Sequence, residues 1–494
     1  MCLNLSINLK MIFKRTQLQS PFLIALACSL FFSAAKLHAQ NQITSPEQQA
    51  LTENLRFEAT ARQPTTDGNP NQLGNDSFGE ELVLESPSNN LIQPTTTPFS
   101  VGYENAFVIS GPTPITVGKQ DDYQLRINGW AQLRHTATNK SAGSEDLNQF
   151  QLKRARIIFS GSTFTRDLEY HIQLDGRSTS GDIVRLLDYY LAYDVGHHDL
   201  NLENGVLGLR AGRFKTPFTL ARALSGREFE FSDRSMASTF FDVNRSLAVG
   251  AFGRLDRGSV PVNWEAAVFN GLVTGGAETG SSGKLDTNFG YSARLFANPG
   301  GAWGTMELAD WEWHTQPTTR FGVGVAHATN NKKGMTEFDS IRVVDSGEQL
   351  SHLFPATVTQ YDVNLYSIDG GFKFRGWSGT MEYYFRTIQG IQGADFPDFF
   401  DHGFWLQLGK FVVPQKFELA ARWSRVEGNS GTLGVTDQSS EEIAAAAIYY
   451  FRKQNAKFTI DATHLNGATI NSQSLDISPG DVGWLFRSQI QFAF

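Results

Sequence analysis

Arg and Lys at alternate positions of an extended chain put their charges on one face, where a planar guanidinium can grip an oxyanion at two points. Arg126 and Arg134 stand in that relation within 122–138, and Arg154 and Arg156 within 150–162, with Lys153 beside them. Asp188 sits on the polar side of 184–195, and Lys215 follows the alternating segment 206–214. Beyond Lys215 the pattern lapses until residue 247, and this stretch carries Arg222, Arg227, Arg234 and Arg245. A row of moderate cationic sites lets an anion enter and leave, whereas one deep site would hold it. The chemistry implied is selection and guidance of anions, with Lys215 as a point charge at the entrance of a long loop.

Such residues need elements that line them up around water. From Tyr123 onward apolar and polar residues alternate: Tyr123, Leu125, Ile127, Gly129, Ala131 and Leu133 against Gln124, Arg126, Asn128, Trp130, Gln132 and Arg134. Sixteen such segments are predicted, near 122–138, 150–162, 167–175, 184–195, 206–214, 247–256, 261–271, 288–297, 318–329, 362–375, 378–388, 401–412, 415–427, 440–453, 455–465 and 482–494. Strands of about ten residues suit a tilted crossing of a hydrocarbon layer. An Arg or Lys facing lipid at mid-membrane costs about 2–4 kcal/mol, so the basic face belongs in the lumen. The predicted fold is all-β, a 16-stranded antiparallel transmembrane barrel spanning 122–494.

The connections sort by side. Those at 139–149, 215–246, 330–361, 428–439 and 466–481 are long, while 163–166, 257–260, 376–377, 413–414 and 454 are tight. This is the asymmetry of an outer-membrane barrel, with short periplasmic turns and long outside loops. The stretch 298–317 breaks the rule: it is long on the tight side, and its Trp303, Trp311 and Trp313 suggest interfacial aromatics. The loop 215–246 is expected to fold into the lumen and narrow it.

Composition agrees. Forty-six glycines and 12% aromatics suit a many-turned β protein. A mean hydropathy of −0.27 is compatible with a barrel, which alternates lipid-facing and water-facing residues. The formal charge of −8 offers no footprint for nucleic acid. Residues 1–39 read as a signal peptide, with basic Lys10, Lys14 and Arg15, an apolar run from Phe22 to Phe32, and a cleavage site at Leu37-His38-Ala39. Met11 offers a second start, and Cys28 an alternative lipoprotein reading. Both cysteines, Cys2 and Cys28, fall in this segment, so the exported chain would hold no disulfide or thiolate metal site. Residues 40–121 are rich in Gln, Asn, Thr, Pro and Ser and read as a periplasmic leader, either disordered or carrying a helical oligomerising element.

Two features temper a phosphate reading. Within 215–246 five cations face four carboxylates: Glu228, Glu230, Asp233 and Asp242. The inferred lumen face also bears Glu169, Asp175, Asp188, Asp194, Glu382, Glu418 and Asp461. Each lumen arginine thus reads either as an anion guide or as half of a wall-stiffening ion pair. Arg210 and Arg213 fall on opposite faces unless a bulge intervenes. His197-His198 lies in a turn and reads as a solvated pair. No metal, cofactor or catalytic residue is expected, because the fingerprints of phosphate-loop, dinucleotide, zinc-protease and serine-hydrolase sites are missing from the sequence.

Phe150-Gln151-Leu152-Lys153-Arg154-Ala155-Arg156 followed by Gly161, and Gly212-Arg213-Phe214-Lys215-Thr216-Pro217-Phe218, resemble two motifs of the phosphate-selective porin O and P family. Tyr103–Ser110, Leu187–Leu191 and Arg245–Gly250 are further echoes. The resemblance implies a sixteen-stranded, trimeric, anion-conducting porin in outer-membrane lipid, whose inward Arg and Lys guide phosphate-like ions. The last segment, with Trp484, Phe486, Ile490, Phe492 and Phe494 on one face, resembles the terminal strand by which the barrel-assembly machinery recognises outer-membrane proteins. The alternatives are a weakly selective porin, an envelope-tethering barrel, or a hydrolase whose groups come from separate strands.

Overall fold

The computed structural model describes residues 100–111, 123–177, 183–256, 260–275, 285–304, 308–431, 438–472 and 475–494. The predicted signal segment, and the leader up to residue 99 and over 112–122, lie outside the described residues.

Sixteen long strands follow one another: β3 Tyr123–Ala142, β4 Asn148–Thr163, β5 Thr165–Arg177, β6 Ile183–Tyr193, β7 Leu207–Lys215, β8 Arg245–Leu255, β9 Val262–Asn270 and β10 Phe289–Ala297, then β11 Thr318–Asn331, β12 Gln360–Phe374, β13 Trp377–Gln392, β14 Phe399–Val413, β15 Phe417–Gly428, β16 Gln438–Arg452, β17 Ala456–Asn466 and β18 Val482–Ala493. Each pairs antiparallel with the next, and β18 returns to β3 from Ala493↔Trp130 to Val482↔Ala142, which closes a 16-stranded barrel. Closure leaves the barrel strands no free edge.

Burial is inverted relative to a water-soluble protein. On β15, Glu418, Arg422 and Ser424 are buried inside, while Leu419 and Trp423 face out. Leu408, Ile443, Ile460, Phe486, Ile490 and Phe492 are likewise exposed on the outer surface. Tight turns close one end, as at Arg375-Gly376, where both φ angles are positive (47° and 76°), the backbone that matches strand twist in a two-residue hairpin.

A short hairpin lies ahead of the barrel, within the segment read as leader: β1 Ser100–Tyr103 and β2 Phe107–Gly111. Where β18 ends, Phe494 exchanges backbone hydrogen bonds with Gly129, and below that point β2 takes over the same edge of β3, from Phe107↔Ile127 to Gly111↔Tyr123. The hairpin is short and lacks long periodicity, so its sequence signal is weak.

The stretch 298–317 also departs from expectation. Trp303, Ala309 and Trp311 are buried rather than interfacial. Ala309 and Trp311 pack with Phe231 and with the inward Ala444, Ala446, Ile448 and Tyr450. This turn therefore folds up into the lumen. Asp310 fastens it, accepting from the Gly376 amide (2.7 Å) and from His314 Nδ1 (2.6 Å), and Lys373 donates to the Trp303 carbonyl (3.2 Å). Asp194, expected in the lumen, instead caps helix α1 (Val195–Leu200), where its carboxylate accepts from the amides of His197 and Gly205.

Candidate functional site

The chain between β7 and β8 folds into the barrel. It carries helices α2 (Leu220–Ala223) and α3 (Met236–Phe241), and Phe218, Phe231, Phe240 and Phe241 on it are fully buried. Gly324 on β11 makes the crossing possible, because a methyl group there would overlap the Phe218 carbonyl oxygen. That oxygen accepts from Ser367 Oγ (2.9 Å).

The far wall holds the loop by its backbone. Glu382 accepts from the amides of Leu220 (2.7 Å) and Ala221 (3.0 Å) at the start of α2. Glu442 accepts from Met236 N (2.6 Å) and Ser424 Oγ from Ala237 N (3.0 Å) at the start of α3, and Asp461 accepts from Ser232 N (3.1 Å). Lys457 donates to the carbonyls of Arg227 (2.8 Å) and Phe229 (2.6 Å). Wall carboxylates thus satisfy the amides that short helices leave unpaired. They also answer the puzzle of acids on an otherwise basic lumen face.

The opposite wall brings most of the predicted cations together. Pairing of β4 with β3 slips by one residue at Gln132/Leu133, so a bulge turns Lys153 inward as well as Arg154 and Arg156. Strict alternation would have put Lys153 on the face opposite its neighbour. Arg134 meets Asp233 of the loop (2.6 Å) and donates to the Ser232 carbonyl (2.7 Å) and Gln489 (3.0 Å). Arg154 pairs with the same Asp233 and donates to Gln132 (2.6 Å). Lys153 pairs with Asp476, which lies 3.6 Å from Arg134 and is carried by the connection after β17.

Arg156 lies over the Trp130 ring and donates to Asp175 (3.0 Å), which also faces Arg185 (3.3 Å). Asp188 is held two-pronged by Arg245, at 2.7 and 3.0 Å. Lys215 donates to the carbonyls of Ala223 (3.2 Å) and Leu224 (3.1 Å), the last turn of α2. Arg234 donates to the carbonyls of Ala221 and Leu224, and Arg222 pairs with Asp242. Arg227 enters the described network through its carbonyl, which accepts from Lys457 and Gln491. Arg126 stands apart near the tight-turn end. It donates to the Glu104 carbonyl in the β1–β2 turn (3.3 Å), and among the described residues its buried Nε and Nη1 have no hydrogen-bond partner.

No register shift occurs around Gly212, so Arg210 and Arg213 do point to opposite faces; Arg210 is the inward one, over the rings of Tyr190, Phe214 and Phe252. Sequence reasoning missed Asp233 and Asp476 as organisers of the basic cluster, since no periodicity marks a loop residue that reaches a wall. Asp310, Glu312 and His314 gather ligand-type atoms within 4.8 Å of one another. However, Asp310 and both His314 ring nitrogens are engaged within the turn, the second nitrogen with the Ala302 carbonyl (3.1 Å).

Residues 126–330, which contain this basic wall and the loop, match the model of the family described as phosphate-selective porin O and P. Over that stretch the chain is similar to a family of porins. Its resemblance to that family, read from the two basic motifs, is carried by a match over both. Among solved structures, an anion-selective porin from Comamonas acidovorans shares the fold at a TM-score of 0.50 and 10% identity, covering 75% of this chain and 100% of that one. OmpT of Vibrio cholerae (TM-score 0.47, 10% identity, 77% and 100% covered) and the channel DcaP of Acinetobacter baumannii (0.47, 10%, 75% and 97%) are similar at a lower level. None of the curated proteins compared with this chain matches it.

Proposed function

We propose that the chain is an outer-membrane porin that passes small anions, phosphate and related oxyanions among them, by diffusion past the in-folded loop. One observation carries the reading: on the wall from β3 to β8 cations outnumber the carboxylates that meet them. Asp233 answers both Arg134 and Arg154, and Asp175 answers both Arg156 and Arg185. Buried or half-buried guanidiniums in excess of acid give that side of the lumen a positive field, which draws anions and repels cations. In this reading Arg126, Arg134, Lys153, Arg154 and Arg156 form the guiding row, with Lys215 at the loop's entrance.

A weakly selective porin is the second reading, favoured by the loop cations. Arg222, Arg234, Arg245 and Lys215 all hold protein carboxylates or carbonyls. The same proposal includes export by residues 1–39, a homotrimer in the outer membrane, and delivery to the barrel-assembly machinery through the strand that ends at Phe494.

Planar-bilayer reversal potentials in a KCl gradient decide between the readings. Chloride preference is expected; cation preference would defeat the anion reading. In an anion-selective channel, the double substitution Arg154→Gln, Arg156→Gln is expected to weaken the block of chloride current by phosphate. Unchanged block removes those two residues from the path.

A further inference from the structure

The loop touches the wall at one place where two acids meet. Glu230 on the loop and Glu418 on β15 stand carboxyl to carboxyl. Both approach the same point above Gly409, where a methyl group would stand 2.7 Å from Glu418 Oε1 and 3.1 Å from Glu230 Oε1. Both side chains are buried. From β14, Gln407 donates to Glu230 (2.5 Å), and from β13 Ser378 does so at 3.3 Å. From β16, Tyr450 donates to Glu418 (2.6 Å). The cation facing the pair is Lys457 on β17, which already donates to the loop carbonyls of Arg227 and Phe229 and to Gln454 (2.7 Å).

Two carboxyls in contact inside a protein cannot both ionise cheaply; they share one proton. With that proton the pair carries one negative charge, which matches the single charge of Lys457. Without it, two negative charges face each other across the junction of loop and wall, and Lys457 answers only one. The arrangement couples protonation to the docking of the segment that narrows the lumen. The same junction adjoins the in-folded turn, since Phe231, next to Glu230, packs on Ala309 and Trp311.

We propose that Glu230 and Glu418 form a proton-operated latch, which holds the constriction loop against the wall while they share a proton and loosens it at alkaline pH. The proposal rests on reading the barrel as a channel, and its test has one arm that needs no current.

In planar bilayers, wild-type conductance is expected to rise as pH is taken from neutral to alkaline, since two buried carboxyls in contact hold their last proton above the ordinary carboxylate range. Glu418→Gln and Glu230→Gln each remove the second charge and are expected to flatten that rise. In the second arm, Phe231→Cys is placed in the wild-type and E418Q backgrounds and treated with a thiol reagent. The ratio of labelling rates at each pH cancels the ionisation of the thiol itself, and is expected to grow severalfold in favour of the wild-type background as pH rises. A ratio that stays constant overturns the latch, whether or not the barrel conducts. A conductance rise that persists in both variants overturns it as well. A barrel that never conducts but shows the growing ratio keeps the latch and defeats the channel reading.

Discussion

The two halves of the barrel wall follow the same alternation yet balance their charges differently. From β10 to β18 four inward arginines each meet a carboxylate on a nearby strand: Arg294 with Asp369, Arg386 with Asp401, Arg422 with Glu442, Arg487 with Asp461. Glu382, Glu442 and Asp461 there also grip the loop's amides. From β3 to β8 Asp233 and Asp175 each serve two cations, and a bulge adds a third inward cation on β4. One half is a bracket that positions the loop; the other carries cations in excess of the acids that meet them. Buried ion pairs contribute little net stability when complete, but losing one member is costly. A bracket tolerates no orphaned partner, while the surplus side depends on a shortage of acids.

That contrast is most directly broken at Asp233, which ties the loop to the basic side. Asp233→Ala leaves Arg134 and Arg154 without their shared carboxylate and is expected to cost about 3–5 kcal/mol. The same change should raise chloride preference. Denaturation in detergent reads the first effect and reversal potential the second; if neither moves, Asp233 is not the tie. Gly324→Ala tests the crossing itself. The added methyl displaces the Phe218 carbonyl at a cost of about 1–3 kcal/mol. Conductance should rise with little change in ion preference, and a shift in preference alone would contradict the bracket role. Glu382→Gln keeps an acceptor for the α2 amides but removes the charge, a loss of about 1 kcal/mol with a small gain in anion preference.

The smallest expected effect lies outside the lumen, in the connection between β11 and β12. Burial, and then the neighbouring Asp286, raise the Glu337 carboxyl to about 8. Its folded value exceeds the unfolded value of about 4.3. The protonated acid therefore stabilises the outer loops fully below about pH 4, and that contribution fades as pH climbs through about 8. Exchange of the backbone amides near Glu337 should quicken over that range in the wild type but not in Glu337→Gln. Equal pH profiles would show that the carboxyl does not titrate there.

Most of the barrel was legible in the sequence, because a lipid-facing residue at every second position leaves a periodic record. All sixteen strands appear near their predicted limits, and the loop of 215–246 lies inside. Register-dependent pairs such as Arg386–Asp401, directly opposite in the ladder, follow once neighbours are known. The infolding of 298–317 was not legible: Trp303 and Trp311 suit a membrane interface as well as a packed interior, and only tertiary contact separates the two. Nor was Asp233's role, since a loop residue's reach depends on where both ends of the loop are anchored. The bulge that turns Lys153 inward breaks the very periodicity used to find the strand.

The hairpin ahead of the barrel has a mechanical consequence. β2 lies on the edge of β3 immediately beneath Phe494, so the residues preceding Ser100 are tethered at the seam where first and last staves meet. A pull on that upstream segment is delivered to the closing joint of the cylinder rather than to its periphery.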